Sequence, residues 1–200
     1  MRKRFFASLL SLCMVASLLP GTAFATGGDS GGNVAKIGNT EYATLAEAVA
    51  AVNSEARTTI KLLKDASGDG VKIPENKNIT LDFCGHTYDI NGETVGSTGT
   101  ETNGFQLLKD STITFKNGKL TSNKAILLIQ NYSNLTLENM NLDGTQTNQY
   151  VVSNNNGNVV ISNTTISAAS EMCAFDVYSF GTYTGANVTV KGNSVITGYV

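Results

Sequence analysis

Phe115-Lys116-Asn117-Gly118-Lys119-Leu120 and Leu137-Glu138-Asn139-Met140-Asn141-Leu142 are two copies of the six-residue pattern that decides the fold. In each copy, apolar residues at the first and last positions enclose an Asn or Gly at the third. Three further copies are Phe83–Tyr88, Ile161–Ile166 and Val190–Val195. The last four copies begin 22, 24 and 29 residues apart. Such a period is typical of stacked-coil architectures, so the pattern predicts a repeated β-coil.

The third position of the pattern is predicted to be a turn residue with positive φ. It is occupied by Gly85, Asn117, Asn139, Asn163 and Gly192. Gly and Asn adopt the left-handed region more readily than other residue types do. In stacked coils these positions form a structural turn ladder, whose amide side chains can hydrogen-bond along the stack.

Each unit combines an apolar segment with an alternating strand that leads into the pattern. The apolar segments are Phe105–Leu108, Ala125–Ile129, Tyr150–Val152 and Ala174–Tyr178. The alternating strands are Thr112–Phe115, Asn134–Leu137, Asn158–Ile161 and Ala186–Val190. Because alternation places every second side chain on one face, we expect Phe115, Leu137, Ile161 and Val190 to form one core column. Residues 91–103, rich in Gly, Thr and Glu, are predicted to be a loop.

A single amphipathic helix is predicted near residues 44–53. Thr44 and Glu47 have the spacing of a capping box at its start. Its apolar stripe consists of Leu45, Ala48, Val49 and Val52. A helix at this position can cover the open first coil, whose apolar side chains and backbone groups are otherwise exposed.

The first 25 residues have the features of a secretory signal peptide. Arg2, Lys3 and Arg4 precede an uncharged apolar stretch, and Ala23-Phe24-Ala25 supplies a small-residue cleavage site. Residues 26–41 then form a flexible lead-in with a short strand, and residues 42–200 form the β domain. The signal predicts a secreted or cell-surface protein, with no membrane insertion after its removal. Since Val200 directly follows a complete coil, we expect the natural chain to continue or a partner to cover that end.

Composition limits the classes of partner. The signal contains three of the 14 Lys and Arg residues. The remaining 11, together with 16 Asp and Glu, give residues 26–200 a formal charge of −5. This balance argues against nucleic acid and anionic membranes as partners, because both bind basic clusters. Cys84 and Cys173 lie in the first and last repeats, about 19 Å apart at the usual strand spacing. That separation is too long for a disulfide, so two unpaired thiols are predicted, acting as small apolar fillers.

The segment Tyr42–Val49, followed by Thr59–Asp65 and Ile79–Asp82, resembles the opening of pectin-lyase-like β-helix proteins. Similar openings occur in exported surface proteins of Gram-positive gut bacteria. The resemblance covers residues 42–198. It implies an all-β fold, a right-handed parallel β-helix of about five coils with an N-terminal amphipathic capping helix. The superfamily includes lyases, glycosidases, tailspikes and adhesins, so the fold leaves the activity open.

The residues that such enzymes use are not found in the expected places. Lyases of this superfamily use an Arg as base, and Arg57 is the last arginine in the sequence. Glycosidases need two carboxylates about 5–10 Å apart. Asp176 is the candidate, but Gln106, Leu127 and Val152 are the positions aligned with it, and none is acidic. No catalytic residue, cofactor or metal site is therefore predicted, and the single His86 is assigned to a turn.

A ligand surface is predicted around Tyr150, Asp176, Tyr178 and Tyr183, because exposed aromatic rings on a long flat face suit extended glycans. Partial burial of these tyrosines between the coils is an equally good interpretation. The expected function is a non-catalytic adhesin-like stalk or a scaffold that contacts a polysaccharide or host surface. The alternative is a polysaccharide-degrading enzyme, a lyase or glycoside hydrolase, with its active site on coils beyond residue 200.

Overall fold

The computed structural model describes residues 32–53, 56–146, 149–178, 181 and 186–200. Residues 1–25, which the sequence predicts to be a signal peptide, lie outside the described residues. One helix, α1 (Leu45–Ala50), accompanies eighteen strands in this part of the chain. The strands are β1 (Ala35–Ile37), β2 (Thr40–Tyr42), β3 (Thr58–Leu62), β4 (Ala66–Gly68), β5 (Val71–Ile73), β6 (Asn78–Asp82), β7 (Thr87–Ile90), β8 (Val95–Ser97), β9 (Thr100–Leu107), β10 (Thr112–Ser122), β11 (Leu127–Asn131), β12 (Asn134–Gly144), β13 (Tyr150–Asn154), β14 (Gly157–Ser162), β15 (Thr165–Ala168), β16 (Cys173–Val177), β17 (Ala186–Lys191) and β18 (Val195–Thr197).

The fold is all-β, and its strands form two mainly parallel sheets. The larger one, sheet A, contains the strands that carry the six-residue pattern, with β6, β10, β12, β14 and β17 side by side. The smaller one, sheet B, has the order β16-β13-β11-β9-β5, with β8 added at β9. The chain passes from sheet A to sheet B and back once per repeat, and each pass pairs in parallel with the one before it. Backbone hydrogen bonds between passes therefore hold the fold together.

The register of sheet A stacks equivalent core residues. Phe115 pairs with Leu137, Leu137 with Ile161, and Ile161 with Val190. This is the core column that the alternating strands predict. Its first three members are completely buried, whereas Val190 on the last strand is 51% exposed.

An aromatic cluster joins the two sheets. The ring of Phe115 on sheet A lies 5.0 Å from that of Phe105 on sheet B and 6.0 Å from that of Phe83, both edge to face. Tyr88 adds a further edge contact with Phe105 at 6.4 Å. Such contacts add about 0.5–1.5 kcal/mol each beyond the burial of apolar area.

The helix begins as the sequence predicts but is shorter. Thr44 is its N-cap, and the Thr44 hydroxyl and the Glu47 carboxylate complete a reciprocal capping box. Helical geometry ends at Ala50, not near residue 53. The Leu45, Ala48 and Val49 side chains are buried in the common core.

Residues 91–103 are not a structureless loop. Strand β8 pairs antiparallel with the first half of β9, so this segment is a hairpin at the side of sheet B. Its Gly and Thr content concealed the alternation that marks a strand. The lead-in likewise contains a hairpin, since β1 pairs with β2 and also with β3, both antiparallel.

Substitutions at two residues of the core column can separate the effect of burial on stability from that of strand propensity. We expect Ile161→Ala to lower the free energy of unfolding by about 2–5 kcal/mol, because the residue is fully buried and a cavity remains. Val190→Ala, in the same column but half-exposed, should change it by less than about 0.5 kcal/mol. Urea unfolding followed by circular dichroism measures both. Equal losses would contradict the burial gradient along the column.

Candidate functional site

The outer face of sheet B carries a row of polar side chains, here called the polar row. The register places Lys72, Gln106, Gln130, Ser153 and Asp176 next to one another on five successive strands. Their strand neighbours Phe105, Ile129, Val152 and Phe175 are buried in the core. The polar row therefore lies on the opposite face of the sheet.

This register corrects the alignment of Asp176. It lies opposite Ser153 and, one strand further, Gln130, and not opposite Val152 and Leu127; Gln106 alone is aligned as predicted. The apolar segments contain consecutive buried pairs, Leu128 with Ile129 and Val151 with Val152. Such a pair breaks the simple two-residue alternation of inward and outward side chains. The alignment made from the sequence therefore placed Asp176 beside the inward-facing Val152 and not beside Ser153.

Hydrogen bonds join some side chains of the polar row to one another and to neighbouring residues. The Oε1 atom of Gln130 accepts hydrogen bonds from Nδ2 of Asn103 at 3.0 Å and from Nε2 of Gln106 at 2.9 Å. Lys72 Nζ donates to the carbonyl oxygen of Gly96 on the β8 hairpin at 3.5 Å. The two bonds to Gln130 orient the amides of Gln106 and Gln130.

Two atoms of the polar row lack hydrogen bonds. Oε1 of Gln106 and Oδ1 of Asp176 are both buried, and neither has a partner among the described residues. Gln106 as a whole is 2% exposed. Leaving a buried polar atom unpaired costs about 1–3 kcal/mol, and both of these atoms are acceptors. The row therefore favours a ligand that donates hydrogen bonds.

The predicted tyrosines do not form one strip. Tyr150 is the first residue of β13, whereas Tyr178 follows the last residue of β16, and both are exposed. Tyr150 is paired with Cys173, five residues before Tyr178, so the two rings stand roughly 16 Å apart along the strand direction. Tyr183 lies outside the described residues.

A tyrosine that sequence reasoning missed is Tyr199. It forms a parallel bridge with Cys173, so Tyr150, Cys173 and Tyr199 share one column of sheet B. The spacing of these three residues, close to that of the repeat, is the signal that identifies it.

The turn ladder has positive φ at each of its five residues. The φ values are 88° at Gly85, 59° at Asn117, 52° at Asn139, 48° at Asn163 and 64° at Gly192. Nδ2 of Asn139 donates to Oδ1 of Asn117 at 3.2 Å. Oδ1 of Asn163 accepts from the backbone N–H of Asn193 at 3.1 Å.

The first turn departs from the ladder register. Asp82 pairs with Lys116 and Thr87 with Lys119, so the first coil has two extra residues at this turn. Gly85 is therefore not stacked directly on Asn117. Instead, Oδ1 of Asp82 accepts from Nδ2 of Asn117 at 3.1 Å and takes the place of the ladder amide.

Two carboxylates on sheet A form ion pairs with lysines on a neighbouring strand. Asp82 pairs with Lys116 at 3.4 Å, and Asp143 with Lys119 at 2.8 Å. Burial raises the pKa of Asp143, but hydrogen bonds from Lys119 and Thr145 outweigh it and hold that pKa below its usual value.

Asp89 and Asp143 lie in one column with Thr121 between them, so these two acids are less scattered than the sequence indicates. The Lys119 contact keeps Asp143 ionised, which does not suit a proton donor.

His86 and Cys84 lie in the first turn of sheet A, whereas Cys173 lies on sheet B. His86 sits in the first turn, with Nδ1 3.3 Å from Oδ1 of Asp65. The backbone N–H of Thr87 is the main cause of the lowered pKa of that carboxyl, although burial opposes it and His86 adds to it. Cys84 and Cys173 are both unpaired, as predicted. The filler role is wrong for Cys84, which is exposed.

Two further features concern metal binding and membrane insertion. In the described part of the chain, His, Cys, Asp and Glu side chains nowhere come together in threes that can hold a metal ion. Among the same residues, no helix has the length and apolar character to cross a membrane.

Comparisons with family models, with curated proteins and with solved structures give no match to this chain. The residues of the polar row and of its neighbouring column are therefore the evidence on function.

Substitutions at Asn139 can separate the two roles of the ladder. Asn139→Gly keeps the positive φ but removes the amide bond to Asn117, and should cost about 0.5–1.5 kcal/mol of unfolding free energy. Asn139→Ala also forces a β-carbon without a local hydrogen bond into the left-handed region, which adds about 1–2 kcal/mol. Thermal or urea unfolding gives both values. If the Gly variant were the less stable of the two, backbone conformation would not be the main constraint.

The Asp143 ion pair predicts an acid-dependent stability difference. A carboxyl whose folded pKa is depressed stabilises the fold above its unfolded pKa, about 3.9, and loses this effect as the pH falls through the folded value. Asp143→Asn should therefore cost about 0.5–1 kcal/mol at neutral pH, since the pair is partly exposed. The gap to the unaltered protein should close below about pH 4. If the difference in unfolding free energy did not change with pH, the Asp143 side chain would stabilise the fold through packing and not through its charge.

Proposed function

We propose that this protein is a secreted or cell-surface right-handed parallel β-helix module of the pectin-lyase-like type, which contacts extended glycans through the outer face of sheet B. The observation that carries the proposal is the polar row, in which Oε1 of Gln106 and Oδ1 of Asp176 have no partner among the residues that the structure describes. Carbohydrate hydroxyls are donors that can satisfy such acceptors.

The arrangement of the strands supports the β-helix part of the proposal. Successive passes through sheets A and B pair in parallel at near-constant register, as stacked coils require. Helix α1 contacts β1, β2, β3 and β5 at the opposite end of the stack from β17. This position suits a cap on the first coil.

Binding is a better proposal than catalysis for the described residues. The residues beside Asp176 on the next two strands are Ser153 and Gln130, neither of which ionises in the range needed for acid–base chemistry. The length of the polar row also favours an extended ligand. Five strands at about 4.8 Å place Lys72 and Asp176 roughly 19 Å apart.

A glycan array tests this function directly. We expect the protein to bind at least one class of extended oligosaccharide, and Asp176→Asn combined with Ser153→Ala to weaken that binding tenfold or more, because hydrogen bonds to a charged group contribute about 1.5–3 kcal/mol. Thr136→Val, on the outer face of sheet A, is the matched control and should bind normally.

Two results would contradict the proposal. Failure of the folded protein to bind any glycan would leave only a spacer role. Release of reducing or unsaturated ends from a polysaccharide would instead establish an enzyme.

A further inference from the structure

We propose that Tyr150, Cys173 and Tyr199 form a slot for one ring of an uncharged hexopyranose glycan, with a tyrosine on each side and the thiol at its floor. This inference rests on the proposed glycan-contacting function and names the ring-binding part of it. The three residues are called the tyrosine slot.

The backbone places the three side chains in line. Tyr150 pairs with Cys173 in the parallel ladder, and Cys173 bridges to Tyr199. The N–H of Cys173 donates to the carbonyl of Gln149 at 3.0 Å, and the N–H of Tyr199 donates to that of Met172, also at 3.0 Å. The carbonyl of Tyr199 accepts from the N–H of Ala174 at 2.8 Å. These bonds fix the slot at the start of three neighbouring strand segments.

The spacing of the strands fits a ring between the tyrosines. Two steps of about 4.8 Å separate the backbones of Tyr150 and Tyr199 by about 9.6 Å. A ring halfway between them lies about 4.8 Å from each, so the C–H groups on both of its faces can contact a tyrosine ring. The intervening residue is Cys173, whose short side chain leaves this space open.

The space is a cavity in the structure. Its volume is about 290 Å³, and it is lined by Gln149, Tyr150, Glu171, Met172, Cys173 and Tyr199. Tyr150 is 40% exposed and Tyr199 62% exposed. Each tyrosine can thus present an apolar ring face to a ligand.

Local backbone geometry holds both rims of the cavity. Gly198 has φ +131°, and a Cβ there would lie 2.9 Å from the carbonyl oxygen of Met172. A glycine is therefore required directly before Tyr199. On the other rim Glu171 has φ +63°, a region that a glutamate rarely adopts.

Charge selects among sugars. Glu171 lines the cavity, and Asp176 lies three residues beyond Cys173 on the same strand. No Lys or Arg is among the described residues that line it. An anionic sugar such as a uronic acid meets like charge here, whereas a neutral ring does not. The apolar face of a hexopyranose suits the tyrosines, and its hydroxyls can donate to Glu171 or accept from the Gln149 amide.

Alkylation of Cys173 provides the test. The intact protein is treated with iodoacetamide in the presence of cellohexaose, N-acetylchitohexaose or hexagalacturonate, and the peptides carrying Cys173 and Cys84 are quantified by mass spectrometry. A neutral oligosaccharide at ten times its Kd should slow modification of Cys173 about tenfold. Modification of Cys84, exposed at the first turn of sheet A, should be unchanged and serves as the internal control. Hexagalacturonate should protect neither thiol.

Three variants make the test specific. Tyr199→Leu should abolish protection, whereas Tyr199→Phe should retain it because the ring face remains. Tyr178→Leu removes an equally exposed tyrosine outside the slot and should leave protection intact. Circular dichroism checks that each variant is folded.

Other outcomes would overturn the inference in distinguishable ways. Binding on the glycan array without protection of Cys173 would reject the slot and leave the proposed function standing. Protection by hexagalacturonate, or loss of protection in Tyr178→Leu, would also reject the slot as described. Absence of binding to any glycan in both experiments would reject the slot and the proposed function together.

Discussion

Parallel pairing of each pass of the chain with the previous one is the constraint on which the rest of this structure depends. Since parallel strands lie about 4.8 Å apart at fixed register, every residue has an equivalent above or below it. Apolar residues then build columns such as Phe115, Leu137 and Ile161, which are fully buried. Outward residues build surface rows by the same rule, so the core and the candidate site have one origin.

Stacking also restricts where charged residues can lie, because like charges on adjacent strands repel each other. The column that contains Lys61, Asp82, Lys116 and Glu138 alternates in sign from strand to strand. Burial raises the pKa of Asp82, yet bonds from Cys84 N–H, Asn117 and Lys116 leave it below its usual value. Two acids of sheet A, Asp82 and Asp143, are thus paired with lysines of the same sheet. On the outer face of sheet B, by contrast, one oxygen of Asp176 has no hydrogen-bond partner in the described part of the chain.

The sequence predicted sheet A better than sheet B, and the difference has a physical reason. On sheet A the apolar residues alternate strictly up to a turn residue, so the Phe115 column could be derived by counting. On sheet B consecutive residues are buried, such as Val151 with Val152, and these pairs break the two-residue period. The alignment made from the sequence therefore placed Val152 beside Asp176, where the register has Ser153.

Insertions limit sequence reasoning in a second way. The first coil has two extra residues between its paired positions at this turn, so Gly85 matches Asn117 by motif but not by register. Tyr199 is the opposite case. It is paired with Cys173 although it belongs to no copy of the six-residue pattern. A tyrosine on every second strand of a stack leaves a gap about two strand spacings wide. A packed β-sheet surface can therefore acquire a ring-sized recess without any irregular loop, provided that the residue between the two aromatic rings is small.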